Sequence, residues 1–329
     1  MPTLDSTREP YVPTSRKSLH HAEHAQNFLN GHAVYPGRVN VKYPRTPESF
    51  QFLLIGVNGY QCDFDSSFFY RMRKSSVGKS KASGSKPKKH STAQKRSDIS
   101  LLVLDFDHTV VDENTDTHVW RLGEGGKVPE SITGARDKLW TYLMQDVFDY
   151  LFEIGRTPVE ILECVASMKL APGMDTMLFS VPENIDIIII SDSNTVFIQH
   201  ILETHGLFDR IMNIFTNPAN FEPDGRLVVT PFTDQDSCDI CERNLCKGDA
   251  LKLHLDRMTG ARRKYDRILY VGDGKNDVCP CLKLGENDVI FARAGYRLEE
   301  QLRKMQEENK KIDAEVVIWN DANVIFEYI

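Results

Sequence analysis

Apolar residues in this chain come in short unbroken blocks separated by long mixed stretches. Leu101-Leu102-Val103-Leu104, Ile187-Ile188-Ile189-Ile190, Ile268-Leu269-Tyr270-Val271 and Val289-Ile290-Phe291 are the clearest blocks. Short continuous runs of this kind fit strands buried on both faces, the habit of a parallel sheet. They predict strands over 100–105, 186–191, 267–272 and 289–291, with another at 315–319. Between the first two strands the period changes. Trp140, Leu143, Val147, Tyr150 and Leu151 recur at three- and four-residue steps, the spacing of one helix face. Thr157-Pro158-Val159-Glu160 reads as a capping box with proline in the first turn, opening a helix toward Met168. Ser193 or Asn194 caps a helix through His205. Further helices follow Gly248 and Asp277, lie near 297–309, and close the chain. Residues 211–231 read as a hairpin, with Ile214-Phe215 and Leu227-Val228-Val229 flanking Glu222-Pro223-Asp224-Gly225. The alternation predicts an α/β fold, a parallel sheet with helices on both faces.

The first 98 residues do not share this pattern. Residues 1–49 are rich in His, Pro and Asn without a sustained period. Residues 50–70 scatter apolar and aromatic side chains, including Phe68, Phe69 and Tyr70, and read as a short element that docks on the folded part. Residues 71–96 hold ten Lys or Arg and no acid. That segment cannot bury enough apolar surface to offset chain entropy, so 1–98 is expected to be a largely disordered extension. Its basic block reads as a solvated linker ahead of a localisation or anion-binding patch. The net charge of the whole chain is -7, so residues 99–329 are strongly acidic and a poor match for nucleic acid. No apolar leader is visible, and the stretch from Phe50 to Val57 is too short to span a membrane. Seven cysteines without a secretory signal are expected to be reduced thiols in the cytosol, with the nucleus as the other compartment.

The candidate chemistry sits where the apolar runs stop. The first delivers Asp105-Phe106-Asp107-His108-Thr109. Side chains two apart on a strand face the same way. Two carboxylates about 4 Å apart repel by about 4 kcal/mol at an effective dielectric near 20, so such a pair implies a cation and a reaction. The second run ends in Ser191-Asp192-Ser193-Asn194, the third in Gly272-Asp273-Gly274-Lys275-Asn276-Asp277, and Lys247 lies between them. Ligands of open parallel sheets bind beyond the carboxyl ends of the strands. The three ends are therefore expected to share one pocket.

Asp-x-Asp-x-Thr, then a strand ending in Ser, then Lys, then Gly-Asp-Gly-x-Asn-Asp resembles the haloacid dehalogenase superfamily. Val111-Asp112-Glu113-Asn114-Thr115-Asp116, Ser191–Thr195, the Cys238, Cys241, Cys246-Lys247 segment and Gly272–Pro280 resemble its PHOSPHO-type branch. That branch comprises phosphoethanolamine/phosphocholine phosphatase and pyridoxal phosphate phosphatase. The resemblance covers residues 99–329. It implies a Rossmann-like sheet with a helical cap, here about 117–180, and hydrolysis of small phosphorylated metabolites. It implies Asp105 as nucleophile and Asp107 as general acid and base. A Mg²⁺ would be held by Asp105, Asp273 and the backbone carbonyl of Asp107. Ser191 and Lys247 would bind the phosphoryl group, Asp277 would orient from behind, and Thr109 would give structural support. Asp116 and Asp192 match positions where the branch carries acids near the substrate, which would suit an ammonium group. For pyridoxal phosphate, Trp120 or Trp140 would supply apolar surface. His108 and Lys275 depart from the family pattern, and an added cation at 275 would bear on phosphate affinity.

Cys238-x2-Cys241-x4-Cys246, with Cys279 and Cys281 later, superficially suggests zinc. Structural zinc usually takes two closely spaced pairs, so reduced structural thiols are the expectation. Two rival readings stand beside the metabolite phosphatase. One is a phosphoprotein phosphatase of the same superfamily, disfavoured because the long insert restricts access. The other is an interaction protein recruited by the basic tail.

Overall fold

The computed structural model describes residues 69–70, 99–135 and 138–329. The expectations for 1–68 and 71–98 lie outside the described residues. Strand β1 is Phe69–Tyr70, β2 Ser100–Leu104, β3 Ile185–Asn194 and β4 Asn213–Asn217. A small hairpin follows, β5 Ala219–Phe221 and β6 Leu227–Val229, and then β7 Arg267–Gly272, β8 Val289–Arg293 and β9 Glu315–Trp319. The sheet runs β1-β4-β3-β2-β7-β8-β9. All its neighbours pair in parallel except β1, which lies antiparallel on the β4 edge with Phe69 opposite Ile214. The two-residue β1 is thus the part of 50–70 seen to dock.

Period-two alternation sorts the strand residues onto two faces. Leu102, Leu104, Ile187, Ile189, Leu269, Val271 and Phe291 join one apolar cluster. Leu101, Val103, Ile188, Ile190, Tyr270, Ile290 and Ala292 join the other. Both faces are covered, which is why the runs carry no polar alternation.

Helices supply the cover. In chain order they are α1 Thr115–His118, α2 Glu130–Thr133, α3 Trp140–Glu153, α4 Pro158–Ala166, α5 Met174–Ser180, α6 Thr195–Thr204, α7 Lys247–Gly260, α8 Val278–Cys281, α9 Arg297–Glu307 and α10 Asn323–Phe326. The capping box before α4 is present: Glu160 N–H donates to Thr157 Oγ1 at 3.3 Å, and Thr157 N–H donates to Glu160 Oε2 at 2.8 Å. Asn194, rather than Ser193, caps α6, accepting from Phe197 N–H at 3.0 Å. The helical insert between β2 and β3 is not a detached lobe. Val147, Phe148 and Leu151 of α3 belong to the same apolar cluster as Leu102 and Leu104 of the sheet. Phe148 meets Phe197 of α6 edge-on, ring centroids 5.7 Å apart.

The hairpin expected over 211–231 needs correcting. Its arms are β5 and β6, while Ile214-Phe215 belongs to β4 in the main sheet, parallel to β3. A two-residue apolar step cannot distinguish a hairpin arm from a buried strand. The full burial of Phe215 against the α7 side decides it. Among the described residues no helix is long and apolar enough to cross a membrane.

Candidate active site

Strands β3, β2 and β7 are neighbours at the centre of the sheet, with Leu104 opposite both Ile189 and Val271. Their carboxyl ends open into one cavity of about 300 Å³. Asp105, Asp107, His108, Ser191, Lys247 and Asp273 line it. Asp105 N–H donates to the Val271 carbonyl at 2.9 Å, which carries the sheet ladder one residue past the strand and fixes the first acid.

Lys247 is the first residue of α7 and fully buried. Its Nζ lies 2.7 Å from Asp105 Oδ1 and 2.8 Å from Asp277 Oδ1. Burial works against the ammonium, but Asp105, Asp277 and Asp192 together raise its pKa well above the usual lysine value. Lys247 therefore carries its charge at any physiological pH. Asp277 is saturated with donors. Besides Lys247 it accepts from the Tyr270 hydroxyl at 2.7 Å and from the backbone N–H groups of Asp273 at 3.1 Å and Gly274 at 2.8 Å. This is why Gly272 must be glycine: an added Cβ would come within 2.5 Å of that carboxylate.

Asp107 is half-buried and held by the start of the insert. Thr115 N–H donates to its Oδ1 at 2.9 Å, and Thr115 Oγ1 and Asn114 Nδ2 donate to Oδ2 at 3.2 and 3.0 Å. Burial first, then the neighbouring Asp116, pushes its pKa well above the usual carboxylate range, against the Thr115 hydrogen bonds. Burial likewise raises Asp105, with Lys247 opposing. Asp273 is pushed up to about 7 by burial and by Asp277.

Asp105, Asp273 and Asp277 bring carboxylate oxygens within 4.8 Å of one another. The donors to Asp277 leave it no free face, so the pair open to a cation is Asp105 and Asp273. Hard oxygen donors in an anionic, partly wet pocket fit Mg²⁺, which prefers one or two carboxylates completed by waters and phosphate oxygens.

A family model described as Putative Phosphatase matches residues 100–329. The chain belongs to this family. It is 38% identical over 233 residues to the pyridoxal phosphate phosphatase of Mus musculus, covering 70% of this chain and 96% of that protein. It is 35% identical over 227 residues to the human phosphoethanolamine/phosphocholine phosphatase, covering 68% of this chain and 85% of that one. Among solved structures, a phospho-aspartyl intermediate analogue of phosphoserine phosphatase matches 71% of this chain and 100% of its own, with TM-score 0.47 and 17% identity. The family match and both named relatives bear out the PHOSPHO-type resemblance read from the motifs.

Not every residue singled out in this phosphatase faces the cavity. Asp116 lies behind Trp140, whose indole N–H donates to Asp116 Oδ2 at 2.7 Å. Asp116 lines a separate space of about 10 Å³, room for about one water, next to Asp192 and Ser193. Burial lifts its pKa to about 7 against that hydrogen bond, so it is only partly ionised at neutral pH. Asp192 does line the main cavity, but its carboxylate is engaged by the side-chain amides of Asn244, at 3.3 Å, and Asn276. Thr109 sits in the turn after β2 and is fully buried. Lys275 is exposed and is not among the residues that line the cavity, whereas His108 is. Of the two tryptophans Trp140 lines the cavity, and Trp120 packs behind it with ring centroids 6.3 Å apart.

The sequence assigned no role to Glu242 or Asn244, nor to Asn114, Thr115 and Asn276, although these three stand within its motifs. Asn114 carried a readable signal, since it N-caps α1 as well as touching Asp107. Glu242 and Asn244 sit in an irregular loop before Lys247 and carried none.

Proposed function

We propose that this chain is a Mg²⁺-assisted phosphomonoesterase for small metabolites, with pyridoxal 5′-phosphate as the leading substrate. The observation that carries the reaction is the convergence of Asp105, Asp107, Ser191, Lys247 and Asp273 on one cavity wall. Asp105 Oδ attacks phosphorus in line, giving an aspartyl-phosphate while the substrate oxygen leaves. Asp107, whose pKa is raised by burial and by Asp116, gives a proton to that oxygen. The same carboxylate then takes a proton from water as the water attacks phosphorus. Asp105 is regenerated and inorganic phosphate released. Asp105 and Asp273 would hold the cation, which would supply positive charge against the phosphoryl oxygens. Lys247 and the Ser191 hydroxyl bind those oxygens, and Asp277 keeps the ammonium aimed at them. The helices over 117–180 act as a cap that limits entry to small esters.

Trp140 favours the pyridoxal ester: its indole lines the cavity, while the Asp116 carboxylate is engaged by that indole N–H and only partly ionised. Glu242 at the cavity wall supports phosphoethanolamine and phosphocholine as the second reading, since an ammonium group can meet its carboxylate there.

A phosphate-release screen over small phosphomonoesters, with and without Mg²⁺, tests the reading. Pyridoxal 5′-phosphate is expected to rank first, and Asp105→Asn to abolish turnover because an amide cannot form the acyl phosphate. Full activity of Asp105→Asn, or turnover indifferent to Mg²⁺, overturns it.

A further inference from the structure

We propose that Cys238, Cys241, Cys246 and Cys279 form a tetrahedral, four-thiolate zinc site that clamps the loops carrying Lys247 and Asp277. The sequence supplies only three of these thiols close together. The fold brings the fourth from α8, and all four sulfurs lie within 4.8 Å of one another. Cys279 Sγ is 3.6 Å from Cys238 Sγ and 3.7 Å from Cys246 Sγ. Zinc–sulfur bonds near 2.3 Å in a tetrahedron put the sulfurs about 3.8 Å apart. A disulfide needs about 2.05 Å and engages two cysteines, leaving two unaccounted for. The spacing thus matches a shared ion.

Two further observations agree. The Cys241 N–H donates to Cys238 Sγ at 3.5 Å, and backbone N–H to sulfur contacts of this kind orient thiolate ligands from outside. Gly248 lets α7 approach the cluster, since a Cβ there would meet Cys279 Sγ at 2.7 Å. Soft sulfur donors exclude Mg²⁺ and select zinc-like ions. With four protein ligands no coordination position is left for water or substrate, so the site is structural. Its place in the chain gives it a task. Cys246 directly precedes Lys247, and Cys279 lies two residues after Asp277. An ion bridging them fixes the separation of the ammonium from the carboxylate that aims it, 2.8 Å in the structure. Cys281, also on α8, faces the sheet core and takes no part.

The test is metal content, not turnover, so it is independent of the proposed reaction. The full chain, purified under reductant and without chelator, is expected to carry one zinc by elemental analysis. Cys238→Ser and Cys279→Ser are expected to lose it, while Cys164→Ser keeps it. Cobalt(II) added to the zinc-stripped protein is expected to give the visible absorption and near-ultraviolet thiolate charge transfer of a tetrahedral tetrathiolate. That cobalt spectrum decides the matter even if the serine variants fail to fold. Zinc well below one per chain together with no cobalt spectrum overturns the proposal. So does a Cys238–Cys279 disulfide in the reduced preparation.

Discussion

Arg293, at the carboxyl end of β8, donates from Nη1 to the backbone carbonyl of His108 at 2.5 Å. The same guanidinium grips the Asp112 carboxylate. His108 has φ 55, a left-handed conformation that costs a non-glycine residue about 1–2 kcal/mol. Arg293 holds that turn closed, stacked over Tyr296 at 4.8 Å and Trp319 at 5.4 Å. The residue before the strained one is Asp107, so the bracket is expected to help position the proposed general acid. Arg293→Lys keeps charge but loses the planar fork. It is expected to lower kcat about tenfold, the effect of about 1.4 kcal/mol, with KM little changed. Steady-state kinetics on the leading substrate check this, and an unchanged kcat refutes the positioning role.

The acid role proposed for Asp107 has a pH signature. It must be protonated as the ester binds, so kcat falls as pH rises through its elevated pKa. Asp116 is one cause of that elevation, after burial. Asp116→Asn removes the negative neighbour, lowers the Asp107 pKa and moves the descending limb of the kcat profile to lower pH. A limb that stays in place, or moves up, breaks the link between the two acids.

Substrate preference is expected to divide between two cavity residues. Trp140→Ala removes the aromatic face and raises KM for pyridoxal 5′-phosphate more than for phosphoethanolamine. A stacking contact of about 0.5–1.5 kcal/mol corresponds to a several-fold change. Glu242→Gln does the reverse, weakening the ammonium ester more. Comparing KM for both esters across both variants decides the matter, and parallel losses argue against either residue selecting substrate.

Stability should depend on His254, far from the chemistry. Its ring stacks on Tyr265 with centroids 5.8 Å apart, and it is a buried residue of α7 itself. Burial, with Arg257 and Arg263 nearby, lowers its pKa from 6.5 to about 4. The unfolded chain therefore binds this proton more readily than the folded one. The stabilisation is complete above pH 6.5 and is lost as pH falls toward 4, by about 3 kcal/mol in all. Asp116 and Asp273, each raised to about 7, act with the opposite sign. The comparison must therefore be with His254→Gln. Urea midpoints at neutral and mildly acidic pH are expected to converge between the two proteins as pH falls.

The strands were legible because both faces of the sheet are covered, which leaves runs such as Ile187–Ile190 without a polar break. Their tips were legible because acids are too costly at such positions to be incidental. What escaped depends on contacts between distant segments. Ile214-Phe215 looked like a hairpin arm because nothing local shows that α7 covers its second face. The hydrogen bond that Asp116 accepts from the Trp140 indole, 24 residues later, could not be read from its own turn. Cys279 stands 33 residues from Cys246, too far for spacing to reveal their meeting.

Phe148 and its neighbours on α3 root the insert in the same oily interior that supports the sheet. Swinging it outward would bare several such side chains, at about 1.5–3 kcal/mol apiece. A rigid outward swing of the insert is accordingly costly, and access to Asp105 is expected not to depend on one.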